Sequence, residues 1–211
     1  MTASGNDAND RRRAAAMAGH SVAAEGHRPE DDARAFLADP DPAVRATALG
    51  ALERLAVLEA ADLEGAATDP SPVVRARAAE LAHDHGTGLT ATLVTLLGDG
   101  DAQVVEAAAF GLGEFGERAG GDEVIDALGA VVTGHPDAIC REAAVAALGA
   151  IGAPAGLAAV LAATTDKPAV RRRAVLALAA FEGPEVDAAL ERTLSDRDWQ
   201  VRQAAEDLTA T

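Results

Sequence analysis

Asp39–Leu52 reads DPDPAVRATALGAL, and the rest of the chain repeats it. The pattern returns as DPSPVVRARAAELA from Asp69, DGDAQVVEAAAFGL from Asp99 and HPDAICREAAVAAL from His135. It recurs again as TDKPAVRRRAVLAL from Thr165 and DRDWQVRQAAEDLT from Asp196. With Arg45 as a marker, the equivalent positions are Arg75, Val105, Arg141, Arg171 and Arg202, at steps of 30, 30, 36, 30 and 31 residues. A period of this size marks an array of short supersecondary units, each too small to bury its apolar faces without a neighbour.

Each column of the repeat has a physical meaning. Four residues before the marker stand Asp41, Ser71, Asp101, Asp137, Lys167 and Asp198. Five of these six are N-cap types, whose side-chain oxygen accepts an orphan backbone N–H. Next come Pro42, Pro72, Ala102, Ala138, Pro168 and Trp199, and proline is tolerated at the first helical position because its missing N–H is not needed there. A helix therefore starts in every unit. Within it the apolar columns follow the helical period: Val44, Val74, Val104, Cys140, Val170 and Val201 before the marker, and an alanine three after it in all six units (Ala48, Ala78, Ala108, Ala144, Ala174, Ala205). These columns form one buried stripe, and the strict alanine column is expected where a neighbouring helix presses closest. A shorter amphipathic segment precedes each capped turn, as in DDARAFLA from Asp31 and DEVIDALGAVV from Asp122. Each unit thus reads helix, tight turn, helix. In the last unit Glu206 and Thr209 replace apolar residues, as a terminal repeat requires, and Trp199 is expected to close part of that end.

Composition agrees. Hydrophobic residues make up 49 % of the 211, aromatics only 2 %, with no Tyr. A core of small side chains suits closely stacked helices and suits a β-sandwich poorly. The net charge of −16 argues against general nucleic-acid binding, which needs a basic surface. One cysteine excludes an internal disulfide framework and a cysteine-only zinc site. Residues 1–28 are small, polar and irregular, with Arg11, Arg12 and Arg13 but no convincing apolar segment behind them. They are read as a flexible N-terminal tail, and the protein as cytoplasmic.

Paired helices of about 30 residues with Asp-x-x-Val-Arg-x-x-Ala in the second helix resemble HEAT repeats, above all the short bacterial type of the phycobilisome-lyase HEAT-like proteins. The resemblance covers about residues 30–209. It implies an all-α fold, a right-handed α-α superhelix (HEAT-like solenoid) of about six helix pairs, with the second helices lining the concave, partner-binding side. The repeat domain spans 29–211, in units of about 29–56, 57–86, 87–118, 119–152, 153–183 and 184–211. The resemblance also implies that the Arg column reaches the turn Asp and carbonyls of adjacent units as a ladder. Val105 for Arg, Lys167 for the cap and a longer loop around Gly116–Gly121 depart from the pattern.

No catalytic set emerges. His83 and His85 are two apart and do not share a helical face. No histidine is followed by Glu, so the His-Glu pairs of HEAT-like di-iron hydroxylases are missing. Cys140 sits in a core column, whereas a reactive thiolate needs exposure and a base. The glycines near Gly113 follow no strand and form no phosphate loop. No metal, cofactor or catalytic residue is expected. The column after the marker (Ala46, Ala76, Glu106, Glu142, Arg172, Gln203) is polar and variable where its neighbours are fixed. With Arg77, Arg173 and Glu114 beside it, this column is the expected partner-binding surface. The leading expectation is a non-catalytic scaffold or adaptor for a protein partner, of basic or mixed surface. Family resemblance alone suggests a lyase-like subunit or chaperone for a tetrapyrrole-bearing protein. A DNA-glycosylase-like HEAT enzyme is a third class, disfavoured by the charge.

Overall fold

The computed structural model describes residues 3–20, 28–119 and 121–210. Among them are thirteen α-helices and no strand. The chain divides into two compact units, residues 1–89 and 90–211.

The first unit holds α1 (Ala3–Ala18), α2 (Pro29–Ala35), α3 (Pro42–Arg54), α4 (Ala60–Ala66) and α5 (Pro72–Ala82). Here α3 is packed between α1 and α5, while α2 lies against α3 and α4 against α5. The second unit holds α6 (Thr90–Leu96), α7 (Ala102–Phe115), α8 (Asp122–Gly134), α9 (Ala138–Ile151), α10 (Leu157–Ala163), α11 (Pro168–Ala177), α12 (Pro184–Thr193) and α13 (Trp199–Thr209). The second helices α7, α9, α11 and α13 stack in chain order, and α6, α8 and α10 run beside them as a second row. The all-α fold of six helix pairs read from the sequence is present, with α1 in addition.

The columns behave as their chemistry dictates. The valine-type column and the alanine column are buried in all six units. Four caps are made as expected: Asp41, Asp101, Asp137 and Asp198 accept from the amide two residues on, at 2.8–2.9 Å. Ser71 and Lys167 make no side-chain cap. Asp166 accepts the Lys167 amide at 2.6 Å, which fixes the turn but caps no first-turn amide of α11.

Three expectations are corrected. The tail over 1–28 does not hold for Ala3–Ala18, which forms α1 and packs on α3 and α2. Ala15 and Ala18 are buried, and a Cβ added to Gly19 would stand 2.8 Å from the Ala51 Cα. A helix that docks through Ala and Gly needs no stripe of large apolar residues to announce it. Residues 21–27 of the expected tail lie outside the described residues. In the second unit two glycines, each eight after its marker, also mark close helix approach. A Cβ on Gly113 would meet the Ala147 Cα at 3.1 Å, and one on Gly149 the Ala177 Cβ at 2.7 Å. The 36-residue step does not go into a loop alone, since α8 runs 13 residues where α6 and α10 have 7. Trp199, in the first turn of α13, is 65 % exposed and closes no end.

Candidate functional site

The arginine column is consumed by the repeat itself. Arg45 donates from Nε and Nη2 to the two Asp69 carboxylate oxygens at 2.8 and 2.7 Å, and from Nη1 to the Asp39 carbonyl at 2.8 Å. Arg141 makes the same three bonds to Asp166 and the His135 carbonyl, and Arg171 to Asp196 and the Asp166 carbonyl. These three markers therefore each fasten their own turn and clasp the next, through the planar fork that suits a carboxylate. Arg11 of α1 does likewise, donating from Nε to Asp39 at 2.8 Å. Asp39, Asp69 and Asp196 also accept the backbone amide two residues on, from Asp41, Ser71 and Asp198, and Asp166 accepts that of the next residue, Lys167. The Arg141 and Arg171 hydrogen bonds hold the Asp166 and Asp196 carboxyls below the ordinary carboxylate range, against partial burial that acts the other way.

One rung is replaced as a pair. Val105 stands at the marker of the third unit, and His135 stands where the next turn would carry its Asp. Val105 is fully buried, and His135 Nδ1 accepts the Asp137 amide at 3.1 Å. Loss of the cation and loss of the anion fall on the same rung, leaving neither charge stranded.

A cavity of about 440 Å³ opens on the second-helix face of the 90–211 unit. Its floor is Gly113 of α7 with Ala143, Ala146, Ala147 and Ala150 of α9. The small residues that let α7 and α9 approach also leave nothing standing above them. Two large apolar side chains flank the floor half-exposed, Phe110 at 51 % and Ile139 at 55 %. The polar lining is Glu106, Glu114, Glu142 and Arg173. Glu106 and Glu114 lie one helical turn on either side of Phe110, on one face of α7. Arg173 of α11 reaches Glu142 at 3.4 Å. A second hollow continues over α9 and α11, shares Ala146, Ala150 and Arg173, and adds Leu176, 39 % exposed.

Four of the seven residues expected from sequence therefore meet in one place. Arg172 is exposed outside both hollows, and Gln203 on α13 donates to Asp207 at 2.8 Å. Arg77 belongs to the first unit, where it pairs with Glu80 at 2.9 Å. Reasoning from variable charge missed Phe110, Ile139 and Leu176. Their signal was present: Phe110 and Leu176 occupy the column five after the marker, which elsewhere holds Gly50, Glu80, Ala146 and Asp207.

The residues considered for other chemistry have structural work. Cys140 is buried, its Sγ donates to the Ala102 carbonyl at 3.3 Å, and burial pushes the thiol up to about 11, so it is a packed thiol at neutral pH. His85 bonds Glu53 through Nε2 at 2.6 Å, and His83 Nδ1 lies 2.8 Å from the Glu80 carbonyl at the end of α5. Among the described residues no cluster of three His, Cys, Asp or Glu could hold a metal. Among them also, no helix is long and apolar enough to cross a membrane.

Capped helical hairpins joined by Arg–Asp rungs define an α-helical repeat protein. The chain belongs to the HEAT-repeat family, whose profile matches residues 59–147, 90–168 and 125–209. Among solved structures it is similar to the CpcE–CpcF complex of phycocyanin lyase from Nostoc sp. PCC7120, at 25 % identity and TM-score 0.61, covering 88 % of this chain and 78 % of that one. It is also similar to the E. coli protein YibA, at 14 % identity and TM-score 0.67, covering 93 % and 72 %. A designed armadillo repeat protein matches at 17 % identity and TM-score 0.61, covering 84 % and 97 %. The last two likenesses concern the fold alone. No match was found among curated proteins.

Proposed function

We propose that the protein is a non-catalytic scaffold or adaptor that holds a protein partner on its second-helix face. The observation that supports this most is the hollow over α7 and α9, where Phe110 and Ile139 stand half-exposed above an alanine and glycine floor with a charged rim. Large apolar side chains grouped at a polar-rimmed depression are a mark of protein interaction surfaces. The test places a photo-crosslinking residue at Ile139 or, as a control, at Asp126 of α8 in cells. Capture of one discrete partner from position 139, absent from position 126 and lost on Phe110→Ala, is the expected result. Equal capture from both positions, or none from 139, would rule the proposal out.

A second reading is favoured by one comparison. The 25 % identity to a phycocyanin lyase complex supports a lyase-like or chaperone role toward a tetrapyrrole-bearing protein. Four Phe, one Trp and no Tyr offer few rings to stack on such a ligand. A linear tetrapyrrole titrated into the protein with no change in its visible absorbance would remove this reading. The acidic rim supports neither DNA nor RNA as partner.

A further inference from the structure

Resting on the scaffold proposal, we infer that the occupant of the α7–α9 hollow is a peptide segment with a large apolar anchor flanked by Lys or Arg. Three observations carry this. First, the floor is apolar and shallow, made by Gly113, Ala143, Ala146 and Ala147, so a single inserted side chain can lie between Phe110 and Ile139. Second, Glu106 and Glu114 bracket Phe110 one turn to each side and make no ion pair among the described residues. Third, the one cation in the lining, Arg173, is already matched by Glu142 at 3.4 Å, so the rim left open is wholly acidic. An apolar anchor with cations on both sides satisfies floor and rim at once. An acidic segment would bring like charges together at Glu106 and Glu114, which costs affinity and slows encounter.

The geometry also fixes the order of residues in the ligand. Glu106 and Glu114 are eight positions apart on α7, about 12 Å along the helix axis. A ligand lying along α7 must therefore carry its basic groups on both sides of the anchor, not clustered at one end.

A display library of random 12-residue peptides, panned against the full chain, tests the inference directly. Enriched peptides are expected to carry net positive charge, with Lys or Arg on both sides of Leu, Ile, Met, Phe or Trp. Their binding should fall about tenfold in Glu106→Lys/Glu114→Lys, weaken as salt screens the rim, and survive Glu123→Lys/Asp126→Lys on α8. Circular dichroism checks that each variant remains helical. Enriched peptides that are neutral or acidic yet lost on Phe110→Ala overturn the inference and leave the scaffold proposal standing. No enrichment, or peptides held equally by Phe110→Ala, overturns both.

Discussion

Gly149→Ala should destabilise the 90–211 unit, although it replaces the poorer helix former with the best one. A Cβ built on Gly149 lies 2.7 Å from the Ala177 Cβ and 2.9 Å from the Ala177 Cα. Carbon atoms in contact sit about 3.5–4.0 Å apart, so α9 and α11 would have to separate by about 0.7 Å or more. Overpacking of this kind costs about 1–3 kcal/mol, against a propensity gain of about 0.5–1 kcal/mol. The net expectation is a loss of about 1–2 kcal/mol. Gly129 of α8 provides the control, because its added Cβ would meet the Ala159 Cβ at an ordinary 3.7 Å. Gly129→Ala should therefore stabilise by about 0.5–1 kcal/mol. Both positions lie in the same unit, so urea unfolding followed by far-ultraviolet circular dichroism compares them directly, with the m-value confirming that the same surface is exposed. A Gly149→Ala variant as stable as the parent would refute close helix approach as the reason for glycine here.

Three further outcomes follow from the rungs. Arg171→Ala leaves the Asp196 carboxylate partly buried without its cation and should cost about 2–4 kcal/mol in urea unfolding, whereas Arg172→Ala should stay within about 0.5 kcal/mol; equal effects would mean that the rung contributes nothing. The folded-state carboxyls of Asp166 and Asp196 titrate below their unfolded values, so their stabilisation is complete above about pH 4 and is lost as pH falls further. Asp166→Asn/Asp196→Asn should flatten that acid limb in thermal melts taken from pH 5 down to pH 2, and an unchanged limb would assign it to other groups. Val105→Arg should destabilise by about 3 kcal/mol or more as an unpartnered buried charge, and adding His135→Asp should return about 1–3 kcal/mol of this; strict additivity would show that 105 and 135 do not share a rung.

The repeat was legible because its chemistry is local and periodic. A cap at Asp41, a buried Val44 and an alanine at Ala48 can each be read from residues a turn apart, and recurrence over six units removes the ambiguity of any single one. The rungs were legible only through family resemblance, since Arg45 and Asp69 are 24 residues apart and nothing in their spacing says they meet. Helix α1 was illegible for a different reason. Its docking surface is Ala15, Ala18 and Gly19, which as a pattern look like any small-residue tail, and its one distinctive contact, Arg11 to Asp39, spans 28 residues. At the candidate site, four of the charged positions read from the sequence line the hollow, and the apolar residues beside them were not singled out. Charge variation in one column reads as recognition, while Phe110 and Ile139 read as two more members of an apolar-rich chain. Only solvent exposure separates them from core, and exposure is set by where α9 lies against α7.

The missing rung at Val105 and His135 has a consequence for how the array can be rearranged. At the Arg45–Asp69, Arg141–Asp166 and Arg171–Asp196 clasps a cut between turns strands an arginine on one side and an aspartate on the other, so a transplanted repeat arrives with an unmatched charge. At the Val105–His135 junction the two faces meet as Val and His and carry no such debt of polarity. It is a seam at which repeats can be inserted, removed or exchanged with another array while the three Arg–Asp clasps keep their mates.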